Sequence, residues 1–244
     1  METAAAATAA SGRGSVAGLP SSADRLRELA AHLNSHSGFA EVVASLEAGH
    51  GGTLGGVWGS SRALVAAALA QSCPGLLVVV APHPGEIEAI ARDLVLFTNA
   101  SVAEFPAWEA EPGERVVHDE IYGERLRVLK ALQEWEGEAP AEPKTDEGSA
   151  GASPSRVLIT SIQSLLQPVP SRDTFVGATR EIRVGSQLDV DELTRWMVER
   201  GGHGTTAVEL PGEFSVRGGI LDIFAPDADD PVRIELFGDE VESI

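Results

Sequence analysis

The sequence predicts an α/β fold in two parts: a parallel sheet wrapped by helices, followed by a smaller α+β unit. Three observations predict it. Leu76–Ala81 is an unbroken apolar run of strand length, the pattern of a central strand buried on both faces of a parallel sheet. Apolar residues at helical spacing precede and follow that run, so helices and strands alternate over residues 23–177. Beyond Val169 the rhythm changes to one helix and then short β-prone runs separated by turn residues.

Residues 1–22 are mostly Ala, Gly and Ser, with Arg13 as the one basic residue, and they lack the apolar stretch of a signal peptide. They are predicted to be disordered. Leu26, Leu29, Ala30 and Leu33 share one helix face, and so do Phe39, Val42, Val43 and Leu46. A glycine-rich stretch over residues 49–59 leads into a third helix through Leu64, Val65, Ala68 and Leu69. After the apolar strand, Ile87, Ile90, Ala91, Leu94 and Val95 mark an amphipathic helix, and residues 102–105 a short strand. A helix over residues 123–135 presents Leu126, Leu129 and Leu132, and it runs into residues 136–155, where Pro, Gly, Glu, Ala and Ser leave almost nothing to bury. That stretch reads as a flexible acidic insertion, open to proteolysis. Order returns in a buried strand at residues 157–160. In the second unit, residues 178–244, Val190, Leu193, Trp196 and Met197 face inward from one helix, and strands are predicted over 205–209, 214–217, 220–224 and 232–237. Ile244 follows directly on a strand and its turn, so this unit is expected to be incomplete at its C-terminal side.

With 244 residues, 43% of them hydrophobic, the chain can bury a sizeable core without covalent staples. The single cysteine, Cys73, cannot form an internal disulfide, which fits a reducing cytoplasm better than a secreted setting. No apolar run approaches bilayer-spanning length, so no membrane partner is expected. A formal charge of −19 repels phosphate backbones and argues against tight nucleic-acid binding by this chain.

A phosphate-binding loop needs glycines that bare backbone N–H groups, a lysine that neutralises the anion, and a Ser or Thr hydroxyl for Mg²⁺, all at a helix N-terminus. Gly56-Val57-Trp58-Gly59-Ser60-Ser61-Arg62-Ala63 sits where such a loop belongs, but three positions depart from the need. Ser61 replaces the second glycine, Arg62 the lysine and Ala63 the hydroxyl residue. The planar guanidinium of Arg62 does not substitute for a compact ammonium, and Ala63 cannot ligate a metal. The same residues also read as an ordinary glycine-rich turn, and either reading predicts no cofactor and no hydrolysis. Asp119 and Glu120 superficially match a Mg²⁺-holding acidic pair but lack a preceding apolar strand, so a solvated helix start is the reading. Glu28, His32 and His36 recur at four-residue steps without further Cys or His, so no metal site is expected.

The run Gly212-Glu213-Phe214-Ser215-Val216-Arg217-Gly218-Gly219-Ile220-Leu221-Asp222-Ile223-Phe224, continued by Pro231-Val232-Arg233-Ile234-Glu235-Leu236-Phe237-Gly238-Asp239-Glu240-Val241-Glu242-Ser243-Ile244, resembles the UvrB-type interaction domain. Phe105-Pro106-Ala107-Trp108-Glu109 and Ser164-Leu165-Leu166-Gln167-Pro168-Val169 extend the resemblance upstream, so that it spans residues 55–244 apart from the insertion. That domain is shared by UvrB and the transcription-repair coupling factor (Mfd) family. The lost phosphate loop, and a single tyrosine where UvrB carries a tyrosine-rich hairpin, favour the coupling factors. The resemblance implies a degenerate RecA-like, P-loop-type domain over residues 23–177, then the interaction domain. It implies a non-catalytic UvrA-docking module, the alternative being a UvrB-like ATP-dependent helicase subunit. RNA polymerase, DNA, ATP and Mg²⁺ would be engaged by regions beyond Ile244. Carried over by position, the UvrA-contacting residues are Arg217, Arg233 and Phe237. The competing expectation turns Phe237 inward on its strand and pairs Arg217 with a neighbour such as Glu213.

Overall fold

The computed structural model describes residues 21–108, 120–137 and 156–244. Helix α1 (Ser22–Asn34) starts at a capping box: the Ser21 hydroxyl accepts the Asp24 N–H at 3.2 Å, and the Asp24 carboxylate accepts the Ser21 N–H at 3.1 Å. The last two positions of the segment expected to be disordered, Ser21 and Ser22, thus cap and open a helix; residues 1–20 lie outside the described residues. Helices α2 (Ser37–Glu47) and α3 (Ser61–Ser72) follow, then strand β1 (Leu76–Ala81), helix α4 (Ile87–Leu94) and strand β2 (Ser101–Phe105). Helix α5 (Glu120–Gly137) extends two residues into the stretch expected to be a flexible insertion. Residues 138–155, the rest of that stretch, lie outside the described residues.

Strand β3 (Arg156–Ser161) pairs in parallel with both β1 and β2, giving the order β1-β3-β2. This corrects the expectation that Leu76–Ala81 is the central strand. The strand buried on both faces is β3, with Val157, Ile159 and Thr160 fully inside, whereas β1 lies at an edge with Val78 46% and Val80 44% exposed. The physical reason is coverage. Helices α3 and α4 pack one face of the sheet through Ala67, Ala68, Ile90 and Leu94, while on the other α5 buries Val128 with Phe105 of β2 and Leu158 of β3. On that second face Val78 and Val80 stay half-exposed at the sheet edge.

Helices α6 (Ile162–Leu166), α7 (Arg172–Gly177) and α8 (Val190–Glu199) lead into a five-stranded mixed sheet. Its strands are β4 (His203–Gly204), β5 (Glu213–Arg217), β6 (Ile220–Ile223), β7 (Val232–Phe237) and β8 (Glu240–Ser243), in sequential order, with β4 parallel to β5 and the rest antiparallel. Helix α8 covers one face, where Leu193 joins Leu221, Ile234 and Val241. No strand forms over 205–209, where one was expected; the extended residues are His203–Gly204, just before that stretch. Local bonds win there: Thr205 Oγ1 donates to the Ala207 carbonyl at 2.8 Å, and Glu213 Oε2 accepts the N–H of Glu209 and Leu210 at 2.8 and 2.9 Å. Backbone bonds from residues 185–188 cover the free edge of β8, including Gly185 N–H to Val241 O at 2.8 Å and Leu188 N–H to Asp239 O at 2.7 Å.

The two units touch where α5 meets the loop after β6. Lys130 pairs with Asp227 at 3.1 Å and Arg127 with Asp229 at 3.2 Å, and Gly123 lies against the Pro226 carbonyl with no room for a Cβ. Among the described residues, no helix is long and apolar enough to cross a membrane.

Candidate functional site

The glycine-rich loop lacks the strand-to-helix setting of a phosphate loop, and its key side chains are engaged within the chain. A phosphate loop joins a strand to a helix, but residues 50–58 approach α3 without forming a strand. Each position the chemistry would need is engaged internally. The Ser61 hydroxyl donates to the Trp58 carbonyl at 2.6 Å and accepts the Trp58 N–H at 2.8 Å, tying the turn shut. Arg62 forms a tight ion pair with Glu86, in the 3₁₀ turn Pro84–Glu86 that follows β1. The one cation of the loop is thus neutralised by a carboxylate of its own chain. Ala63 is buried in the α1–α3–α4 core, so a hydroxyl there would meet apolar neighbours instead of a metal.

The remaining candidates for metal chemistry do not assemble. Asp119 lies outside the described residues, and Glu120 is exposed at the first position of α5. His32 Nδ1 contacts the Glu28 carbonyl at 2.8 Å, while His36 is the N-cap residue of α2. Among the described residues no three His, Cys, Asp or Glu side chains form a metal-binding group.

The interaction-domain residues share one face of the mixed sheet. Strand β5 turns into β6 through Gly218-Gly219, with Arg217 opposite Ile220, Ser215 opposite Asp222, and Asp222 in turn opposite Arg233 of β7. The turn requires glycine twice over: Gly218 has φ +60°, and a Cβ on Gly219 would sit 2.7 Å from the Leu236 carbonyl. Alternation from Leu221 and Ile234, which face α8, puts Arg217, Asp222, Arg233 and Glu235 on the opposite face of the sheet. A bulge between Glu235 and Leu236 keeps Leu236 opposite Val241 and leaves Phe237 on the outer side, opposite Glu240. Phe237 is 81% exposed, so the expectation of an inward phenylalanine is corrected. Arg233 reaches back to Asp222 in a fork, Nε to Oδ1 at 2.7 Å and Nη2 to Oδ2 at 3.0 Å. That bond holds the Asp222 carboxyl below its usual range, helped by the charge of Arg217. The face therefore carries two guanidiniums, one of them fixed in orientation, and a protruding aromatic ring.

Residues 181–244, which contain this face, match the model of the UvrB interaction domain. This chain carries a UvrB interaction domain. Over most of its length it is also homologous to transcription-repair-coupling factors. It is 39% identical over 184 residues to that of Mycobacterium bovis, covering 75% of this chain and 14% of the relative. Identity is 30% over 193 residues for Bacillus subtilis, 78% of this chain and 15% of the relative. For Escherichia coli it is 26% over 200 residues, 82% of this chain and 16% of the relative. The chain thus spans about a seventh of the length of these relatives.

Two residues that engage these sites, Asp222 and Glu86, were missed in the sequence. Asp222 could have been found: a two-residue turn at Gly218-Gly219 fixes the hairpin register and puts it beside Ser215 on the outer face. Glu86 could not, because its partner Arg62 lies 24 positions away in a loop whose path only tertiary packing sets.

Proposed function

We propose that this chain is a non-catalytic adaptor whose UvrB interaction domain docks UvrA, in a protein that brings nucleotide excision repair to stalled RNA polymerase. The observation that carries the reading is the convergence of Arg217, Arg233 and Phe237 on the sheet face that α8 leaves open. Arginines and aromatics at the centre of a patch are the residue types that dominate binding energy at protein interfaces. The parallel-sheet unit is then a RecA-like domain that has lost nucleotide chemistry, a reading supported by its helices on both faces and by the Arg62–Glu86 pair. RNA polymerase and DNA would be partners of other parts of the longer protein, where ATP and Mg²⁺ would drive a translocase.

The test is the affinity of UvrA for the parent and for Arg233→Ala. Loss of a central interface arginine costs about 2 kcal/mol, or roughly thirtyfold in affinity. The side chain is 63% exposed, so the variant should melt like the parent. Parent-like affinity in both Arg233→Ala and Arg217→Ala would remove the adaptor reading.

A further inference from the structure

We infer that Asp222 is a positioning residue of the docking face, holding the Arg233 guanidinium so that its unpaired edge meets an acceptor oxygen on the partner. The inference rests on the UvrA-docking reading and goes beyond it by assigning a role to a carboxylate that makes the contact only through Arg233.

The geometry is lopsided in a way that an ordinary surface ion pair need not be. Asp222 and Arg233 stand directly opposite on neighbouring strands, and the carboxylate side chain is 23% exposed against 63% for the guanidinium. The acid lies low on the sheet and the base stands above it. Two of the five guanidinium N–H groups, on Nε and Nη2, are taken by the two carboxylate oxygens. Among the described residues no other hydrogen bond engages this guanidinium, so the Nη1 edge is left for an incoming acceptor. A planar fork held at two points has its orientation fixed before the partner arrives, and less ordering is left for the moment of binding. An exposed pair of this kind adds little to folding stability, so stability alone does not account for the arrangement.

Positioning and plain charge predict opposite signs. If Arg233 acted only as a positive charge towards an acceptor, removing the neighbouring carboxylate would strengthen the patch and tighten binding. If Asp222 orients Arg233, its removal frees a long side chain and weakens binding by roughly three- to tenfold, the cost of immobilising one such side chain again.

The experiment measures UvrA affinity for the parent, Asp222→Ala, Asp222→Asn, Arg233→Ala and the double variant Asp222→Ala/Arg233→Ala, with a thermal melt beside each. The expected result is weaker binding in both Asp222 variants, an unchanged melt, and no further loss when Asp222→Ala is added to Arg233→Ala. Should the alanine variant fold poorly, the isosteric Asn variant carries the same comparison. Unchanged or tighter binding in the Asp222 variants, while Arg233→Ala weakens it, overturns the positioning role and leaves the docking reading standing. An equal loss from Asp222→Ala in the Arg233→Ala background also overturns it, because Asp222 would then be making a contact of its own. No loss in Arg233→Ala overturns this inference, and it removes the docking reading as well if Arg217→Ala also binds like the parent.

Discussion

Phe237 shows what a single side chain's direction decides. Truncating an inward phenylalanine costs about 3 kcal/mol or more whatever its role in binding. At 81% exposure Phe237→Ala should instead stay within about 0.5 kcal/mol of the parent's stability. If the face docks UvrA, the same variant should lose at least roughly tenfold in affinity, as hot-spot aromatics do. A melt and a binding curve on one preparation decide both halves. Replacing Ser61, Arg62 and Ala63 by Gly, Lys and Thr should not create ATP binding, because Glu86 remains poised to pair with the new lysine. The added bulk at buried Ala63 should cost about 1–3 kcal/mol. Calorimetry showing micromolar ATP affinity in that variant would contradict the account. The Asp222 carboxyl, held down chiefly by Arg233, should titrate below its usual value of 3.8 when followed by NMR. Its contribution to stability is then present above that value and fades as pH falls through the folded-state value.

At the scale of elements, the sequence makes kind more legible than place. Periodicity locates α1 to α5 and α8, and the apolar runs locate β1 and β3, because 3.6 and 2.0 are local repeats. Which strand is central depends on pairings between segments 80 residues apart, Leu76 with Arg156 for example, and a longer apolar run in β1 gives no sign of its edge position. The lost strand at 205–209 failed for another reason: β propensity there is outcompeted by side chains that bond the backbone in a turn. Packing between elements also places two acids unfavourably. Burial, then the charges of Glu124 and Glu88, push the Glu104 carboxyl of β2 up, and burial does the same to Glu124 on α5. A carboxyl raised in the folded state binds protons more tightly there than when unfolded, so its effect on stability worsens as pH climbs from the usual carboxylate value through the folded one. Glu104→Gln should therefore raise the melting temperature at pH 7 and leave it nearly unchanged at pH 4. Melts of the two proteins at both pH values check the direction, and an equal shift at pH 4 would point to packing instead of charge.

For the whole molecule, what matters is how the parallel-sheet unit and the UvrB interaction domain are joined, since that contact bears on how the Arg233 face is oriented relative to the rest. Among the described residues it includes two kinds of interaction. Lys130–Asp227 and Arg127–Asp229 are partly exposed ion pairs, worth about 0–1 kcal/mol each and weakened by salt. Gly123 is different: it is buried on α5 and lets the helix backbone approach the Pro226 carbonyl so closely that any Cβ would collide with it. Close approach of this sort is insensitive to salt and intolerant of one methyl group. Raising the ionic strength should thus leave the two units docked, whereas Gly123→Ala should part them. The substitution is a sharp probe because alanine inside a helix is ordinarily about 1 kcal/mol better than glycine, so helix propensity acts against the expected loss. Hydrogen exchange should show faster exchange at residues 225–230 in Gly123→Ala, with β3 and β7 keeping their protection, and no such change in the parent at high salt. A Gly123→Ala protein that melts higher than the parent, with protection at residues 225–230 intact, would mean that α5 and the loop after β6 can shift apart at no cost, and that the docking face is not held against the parallel-sheet unit.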